Sequence, residues 1–328
     1  MRGTLRLVGV QSTKSFVDLR VQFANWKAEI SYVMRIPTDL VTYHNYRPSA
    51  VLKISGEDAF SFLQGQVTQD LRPSKETRTS SYGLWLNQKG KVVADSFVLS
   101  AGADWLVVSL FSAVDVIRER LETYVIADDV TIEDVTARWA GVSVLGEGAA
   151  DVFSATNGGF VFAGRRTRET NWEWLYSISA DAPTAHLRER GFAELDTVAM
   201  ERLRIEAGIP SVPRDIGPED LPNEGGLDRD AISYTKGCYL GQEVMARLKT
   251  MGQVRRRLMR VAGVVTPPAV LPAPLFVDGK KIGELRSAAR TEEGFVGLAM
   301  ISLLGLAGRQ LLSFSPDTPA DLVLTALP

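Results

Sequence analysis

The 328-residue sequence predicts an α+β protein that ends in an antiparallel β-barrel. Three observations carry that prediction. Short strand-like runs alternate with helical patterns, and they are joined by antiparallel-type turns such as Asn87-Gln88-Lys89-Gly90. No strand is followed by a glycine-rich nucleotide fingerprint of the GxGxxG or GxxxxGK[ST] type, which argues against a doubly wound parallel sheet. From Leu275 onward only short strands with tight turns remain, the pattern of a small barrel. The composition, 45% hydrophobic with a formal charge of −2, is that of a globular protein with no bulk-charge attraction to nucleic acid or an anionic membrane. No apolar run has the length of a membrane span. Cys238 is the only cysteine, so neither an internal disulfide nor a multi-thiolate metal site can form within one chain, and two histidines cannot make a His-rich site. No residue is therefore assigned to a metal.

Residues 1–45 differ in composition from the rest of the chain. Arg2, Arg6, Lys14, Arg20, Lys27 and Arg35 are opposed by only Asp18 and Glu29. Such a basic start is either an organellar transit peptide or translated upstream sequence ahead of a start at Met34, the second being preferred. Regular pattern begins at Val51–Ile54, an alternating strand. Ser55 with Asp58 three residues on predicts a capping box, opening a helix with Ala59, Phe60 and Leu63 on one face. The adjoining Gln64-Gly65-Gln66 offers amides for capping or for a ligand, with capping the default. Ser80–Leu86 and Val92–Ser100 predict a hairpin. Asp95 stands out inside the second strand, since an acid among valines must either face outward at an edge or serve a site. Strands at Trp105–Leu110, Val130–Val135, Trp139–Leu145, Val161-Phe162 and Trp172–Ile178 and helices at Val114–Val125 and Thr184–Arg190 complete this part.

A helix starts at Asp196. At about 100° per residue, Leu195, Val198, Ala199 and Leu203 share an apolar face, with Glu206 in its middle and Arg202 beside it. A carboxylate there either pairs with Arg202 four residues back or accepts N–H donors from a ligand. A loop punctuated by Gly208, Pro210, Pro213, Gly217, Pro218 and Pro222 leads into the most unusual stretch of the chain, Lys236-Gly237-Cys238-Tyr239-Leu240-Gly241-Gln242-Glu243. It reads as a loop opening into a helix near Gly241, continuing through Arg247. Lys236 and the helix start would both favour a Cys238 thiolate on a cavity wall. The plainer readings are a packed thiol and a surface Glu243–Arg247 pair. The basic run Arg255-Arg256-Arg257 reads as a solvated strand face that could touch tRNA or phosphate, and Thr266–Pro274 as a proline-rich connection into the barrel.

The run KGCYLGQEVMAR resembles the signature of the YgfZ family, folate-binding proteins similar to the aminomethyltransferase (T-protein) of the glycine cleavage system. The FLQGQ segment at Phe62–Gln66 and R-I-E-A-G at Arg204–Gly208 extend the resemblance over roughly residues 50–328. It implies tandem GcvT-like α+β subdomains around a folate cavity, at 46–250, with the barrel at 251–328. It implies a bound tetrahydrofolate or one-carbon-substituted derivative, contacted by Glu206, Arg204, Tyr239, Gln242, Glu243 and Arg247, with Cys238, Lys236 and Asp95 as candidate catalytic residues. Glu206 matches the glutamate that touches the pterin. Asp95 matches the second aspartate of the transferases' KGG-x-x-DD segment, and Ala94 replaces the first.

The function implied is assistance in assembling or repairing iron–sulfur enzymes, including tRNA-modifying ones. The alternatives are a folate-dependent aminomethyl- or methyltransferase of the T-protein type and a ligand-free interaction scaffold; whether a reaction is catalysed stays open. The implied partners are folate and iron–sulfur client or assembly proteins, with weak tRNA contact at most, no membrane, and a monomeric state. The implied location is the cytoplasm, or the mitochondrial matrix if the basic N-terminus is a transit peptide.

Overall fold

The computed structural model describes residues 41–77, 79–146, 149, 159–180, 182–306 and 308–327. The readings made for positions 1–40 lie outside the described residues. The first strand nonetheless begins at Thr42, inside the segment that composition assigns to an N-terminal extension.

In chain order the elements are β1 (Thr42–Tyr46), β2 (Ala50–Ser55), α1 (Ala59–Gln66), α2 (Arg72–Thr77), β3 (Ser80–Leu86), β4 (Val92–Ala101), β5 (Asp104–Ser109), α3 (Val114–Glu122) and β6 (Thr131–Asp134). There follow β7 (Trp139–Leu145), β8 (Phe160–Ala163), β9 (Asn171–Ser177), α4 (Thr184–Glu189), β10 (Ala193–Glu194), α5 (Thr197–Glu206) and α6 (Gln242–Met251). The last part holds β11 (Arg256–Gly263), β12 (Ala273–Val277), β13 (Lys280–Arg290), β14 (Phe295–Ser302), α7 (Leu303–Leu306), β15 (Leu311–Leu312) and β16 (Leu322–Thr325).

They form three sheets. One is antiparallel in the order β3-β4-β5-β2-β6; a second runs β10-β1-β7-β9-β8, with only the β1–β10 pair parallel. Because β1 precedes the first sheet and β7–β10 come after it, the second sheet is built from chain on both sides of the first. The third is a six-stranded antiparallel sheet, β12-β13-β14-β11-β16-β15, whose two ends approach through a Phe276–Ser313 bridge, making a nearly closed barrel.

Alternation in β4 separates two cores. Ala94 and Val98 face Leu63, Trp85, Ile117 and Leu121, where α1 and α3 cover the first sheet. Phe97 and Leu99 face Phe162 and Leu175 of the second sheet. A third cluster joins the β3–β4 end (Leu84, Leu86, Val92) to Ile205 of α5, Val212 and Ile216 of the loop, Tyr239 and Met245 of the motif, and Leu298 and Met300 of the barrel. The hairpin is closed as its sequence predicts: the Asn87 side-chain oxygen accepts from the N–H groups of Lys89 and Lys91.

Two local readings are corrected. Ser55 does not cap α1, because it still belongs to β2; Asp58 stands at the cap position without a side-chain cap bond. Its carboxylate instead accepts from the Asp129 N–H, while Asp129 accepts from the Glu57 N–H, tying the helix start to the β6 approach. In α5, capped by Asp196 accepting from Ala199 N–H at 2.7 Å, the buried residues are Met200, Arg204 and Ile205, and Val198 is 70% exposed. Of the face that a helical wheel marks as apolar, Val198 turns outward and Leu195, Ala199 and Leu203 are half-buried, while Arg204 on the opposite side is fully buried with a complete set of partners.

Candidate functional site

The loop that precedes α6 is fixed by a lysine. Lys236 is buried, and its Nζ donates to the carbonyls of Gln64 (2.5 Å), Val67 (2.7 Å) and Gln69 (3.0 Å). These carbonyls lie at and just beyond the C-terminus of α1, where a helix leaves acceptors unpaired and carries partial negative charge. Burial pulls the amine down to about 8. All three ammonium protons have acceptors, so Lys236 is a clasp between the motif and α1. Neighbouring bonds reinforce it: the Thr68 hydroxyl donates to the Ala231 carbonyl, and the Gln69 amide to that of Asp230. The amides of Phe62–Gln66 are also spent locally, Gln64 on Asp70 and Leu71 and Gln66 on Arg120.

Gly241, at φ +85°, lets the chain turn into α6 against the hairpin; a Cβ there would stand 3.0 Å from the Asn87 carbonyl oxygen. The neighbouring residues divide by depth. Tyr239 is core, its ring beside Leu86 and Met245 in the joint cluster, and burial pushes its phenol up to about 12. Cys238 is exposed. Glu243 and Arg247 form a surface pair at 3.1 Å with side chains 88% and 65% exposed, which contributes about 0.3–0.5 kcal/mol.

A cavity of about 580 Å3 is walled by Arg165, Gly208–Pro210, the 223–230 loop, Tyr234, Lys249 and Arg257, among others. Tyr239, Cys238, Gln242, Glu243 and Arg247 are all absent from its lining. Arg165 donates to Asp230 at 2.7 Å and lays its guanidinium 3.9 Å over the Tyr82 ring. On the far side of that ring system, the Tyr82 hydroxyl donates to Asp95 at 2.8 Å. Asp95 also accepts from Ser112 (2.7 Å) and Ser109 (3.2 Å), so it is buried but satisfied. Burial raises its pKa, with the Ser112 and Tyr82 hydroxyls acting against the rise. Asp95 thus does not sit on an edge. It lies inside, one residue behind the cavity wall.

Arg204 and Glu206 part company. Every N–H of the Arg204 guanidinium is engaged: Nε and Nη2 on Glu201, Nη1 on Asp215 and the Ile209 carbonyl, and Nη2 also on Ser287. It anchors α5 to the loop and to β13, and no donor is free for a ligand. The Glu206 carboxylate, 12% exposed, stands 3.7 Å from Arg202 and accepts no hydrogen bond from the described residues, while its main-chain carbonyl accepts from Arg260 at 3.2 Å. Burial raises its pKa against the opposing pull of Arg202 and Arg260. It is not itself a lining residue, yet the wall resumes at Gly208, and the Ala207 carbonyl accepts from the lining residue Arg168.

Of the sequence-predicted residues, then, the structure brings Glu206 and Asp95 near the cavity and places Cys238, Glu243 and Arg247 outside. Sequence reasoning missed Arg165, Asp230, Tyr82, Tyr234 and Lys249; each is an ordinary polar or aromatic residue in its own segment, and only the tertiary fold joins them. Among the described residues no group of three or more His, Cys, Asp or Glu is placed to hold a metal ion, and no helix is long and apolar enough to cross a membrane.

Comparisons with known proteins agree with this architecture. Residues 21–164 match the GCVT N-terminal domain family. The tRNA-modifying protein YgfZ of Vibrio vulnificus (strain CMCP6) is 30% identical over 227 residues, 67% of this chain and 69% of the relative. The chain belongs to the YgfZ family. The human mitochondrial iron–sulfur cluster assembly factor IBA57 is 28% identical over 279 residues, 76% of this chain and 74% of that one. The Arabidopsis thaliana putative transferase At1g60990, chloroplastic, is 27% identical, and the chain spans 62% of its length. Among solved structures, the glycine cleavage system aminomethyltransferase T of Bartonella henselae superposes with a TM-score of 0.70 at 16% identity, over 88% of this chain and 86% of that one. This YgfZ-family chain therefore has a GcvT-like fold.

Proposed function

We propose that this YgfZ-family chain binds a tetrahydrofolate in the cavity beside Arg165 and assists the assembly or repair of iron–sulfur enzymes, including tRNA-modifying ones. The observation that carries the reading is the cavity itself. Its volume of about 580 Å3 lies within the range of about 300–1,000 Å3 usual for small-molecule sites. Its wall fits a flat, N–H-rich ring joined to an acidic tail: Tyr234 supplies an aromatic face, Asp228 and Asp230 supply acceptors, and Arg168, Arg229, Lys249 and Arg257 supply cations. Glu206, the half-buried carboxylate that lacks a hydrogen-bond donor, is the residue we assign to the pterin, whose amino group and adjacent ring N–H suit a carboxylate bidentately. The relatives' names, a tRNA-modifying protein and an iron–sulfur cluster assembly factor, support the second half of the reading. For that work the exposed Cys238 is the available thiol, acting outward on a client rather than in the cavity.

Aminomethyl transfer gets less support. Asp95 is enclosed by Tyr82, Ser109 and Ser112, and Ala94 points into the packed core under α1 and α3.

Titration calorimetry with tetrahydrofolate tests the binding. The full chain is expected to bind one equivalent, and Glu206→Gln to weaken it about tenfold, the loss of about 1.4 kcal/mol expected for one charge-assisted contact, with an unchanged urea midpoint. No heat of binding for the wild type would refute the folate reading; equal affinity of the variant would refute only the anchor.

A further inference from the structure

Arg165 and Arg166 are consecutive, and they serve different cavities. Arg165 lines the proposed folate cavity, whereas Arg166 lines a second, of about 600 Å3, against β1, β7 and the start of α5. This second cleft contains two arginines, Arg166 and Arg47, and a histidine, His44, and no carboxylate lines it. Arg166 is 5% exposed and His44 6%. A buried guanidinium is costly to place unless something needs it there.

The flat faces of Arg166 are covered by the rings of Tyr46 (4.5 Å) and Phe111 (5.6 Å). One edge is used, with Nε donating to the Ser143 hydroxyl at 3.1 Å and standing 3.4 Å from Glu173 behind it. The terminal nitrogens carry no hydrogen bond among those found for the described residues. The Tyr46 hydroxyl is buried in the same place, with Glu173 and Arg166 as its polar neighbours and neither at full hydrogen-bond geometry. Burial and Glu173 keep that phenol protonated, so it remains a donor. The His44 Nδ1 lies 2.9 Å from the Leu195 carbonyl, which can only accept, so the proton sits on Nδ1 and leaves Nε2 a bare acceptor. The lining thus offers guanidinium and phenol donors, with one imidazole acceptor beside them.

We propose that this cleft is a binding site for a small anion, a carboxylate or phosphate monoester, whose oxygens take the free edge of Arg166. A guanidinium edge accepts either group in a bidentate fork, and the imidazole suits a hydroxyl or acidic proton carried by the same ligand. Glu173, paired with the Nε edge of Arg166 and not itself in the lining, neutralises the charge of Arg166, so the site selects by geometry more than by net charge. The site is separate from the folate reading and does not depend on it.

The chain has only two histidines, His44 in the cleft and His186 exposed on α4, so ring-15N-histidine spectra of the full chain report the site beside an internal control. Inorganic phosphate and acetate are titrated separately at constant ionic strength, with chloride as the reference. A saturable shift of the His44 signals without one at His186 is expected for at least one of the two, and the better binder identifies the class. The bound anion should also raise the pKa of His44, which burial otherwise lowers.

Arg166→Gln alone would strand the Glu173 charge, so the test variant is Arg166→Gln with Glu173→Gln, expected to weaken binding at least tenfold. Tyr46→Phe keeps the ring and is expected to weaken it about threefold. Parallel shifts at both histidines, absence of saturation with both anions, or an unchanged affinity in the folded double variant would overturn the proposal.

Discussion

The Lys236–Arg247 segment and the wall of the Arg165 cavity make opposite use of polar chemistry. The segment concentrates a thiol, a lysine, two glycines and an acid in eight residues, yet most of these groups are either spent inside the protein or turned outward. Lys236 clasps α1, Tyr239 fills the core, and Cys238, Glu243 and Arg247 face solvent. The wall draws Arg165, Asp230, Tyr234 and Lys249 from three separate stretches, none of them conspicuous alone. A dense motif in sequence can therefore mark where the chain is held in place, while the Arg165 cavity is assembled elsewhere.

Breaking the clasp should have the largest effect. Lys236→Met keeps most of the side-chain volume but leaves the carbonyls of Gln64, Val67 and Gln69 without their donor. A loss of about 3 kcal/mol is expected in urea unfolding, the cost of leaving buried acceptors unpaired. A loss below about 0.5 kcal/mol would show that water replaces the amine, and the contrast between segment and wall would fail.

A smaller effect concerns the buried acid behind the wall. Burial raises the folded-state pKa of Asp95 above its reference of 3.8, so the folded state holds this proton more tightly than the unfolded chain. The cost of the buried charge is present at neutral pH and is relieved as pH falls through the folded value toward the unfolded one. Asp95→Asn should remove that increment, flattening the difference in stability between neutral pH and pH 4. Identical pH profiles for the two proteins would mean that the three hydroxyls fully compensate the burial.

Cys238→Ser is expected to change neither stability nor tetrahydrofolate affinity, and wild-type Cys238 to be alkylated by iodoacetamide without unfolding. Protection of the native thiol would place it inside, against the division between clasp and outward-facing groups. Glu243→Gln should be the mildest change, within about 0.5 kcal/mol of wild type, because exposed pairs four residues apart contribute little.

Much of the fold is legible in the chain. The β3–β4 hairpin announces itself through alternation and Asn87–Gly90, and the barrel through its short strands and turns. The face of α5 is not legible that way. A wheel counts Val198 and Leu203 as interior and Arg204 as exterior, but Glu201, Asp215 and Ser287 come from elsewhere and together supply a guanidinium with all its acceptors. The same limit hides the site. Asp95 is recognisable as out of place in a strand, and Glu206 as a carboxylate without an obvious partner. Tyr82 and Arg165, which separate Asp95 from the cavity, acquire their meaning only from a contact across more than eighty residues of chain.

The way the second sheet is threaded has a consequence for how the protein is made. During synthesis β1 emerges first, but its antiparallel partner β7 begins at Trp139, after the whole of the first sheet, complete at Asp134, has been produced. The first sheet with α1 and α3 can close as a continuous stretch before the strand that pairs with β1 has been made. Long-range pairing of this kind is slow, since the intervening loop must be closed before the pairing is rewarded. Thr42–Tyr46 therefore cannot take its antiparallel place in the second sheet until Trp139–Leu145 has been made.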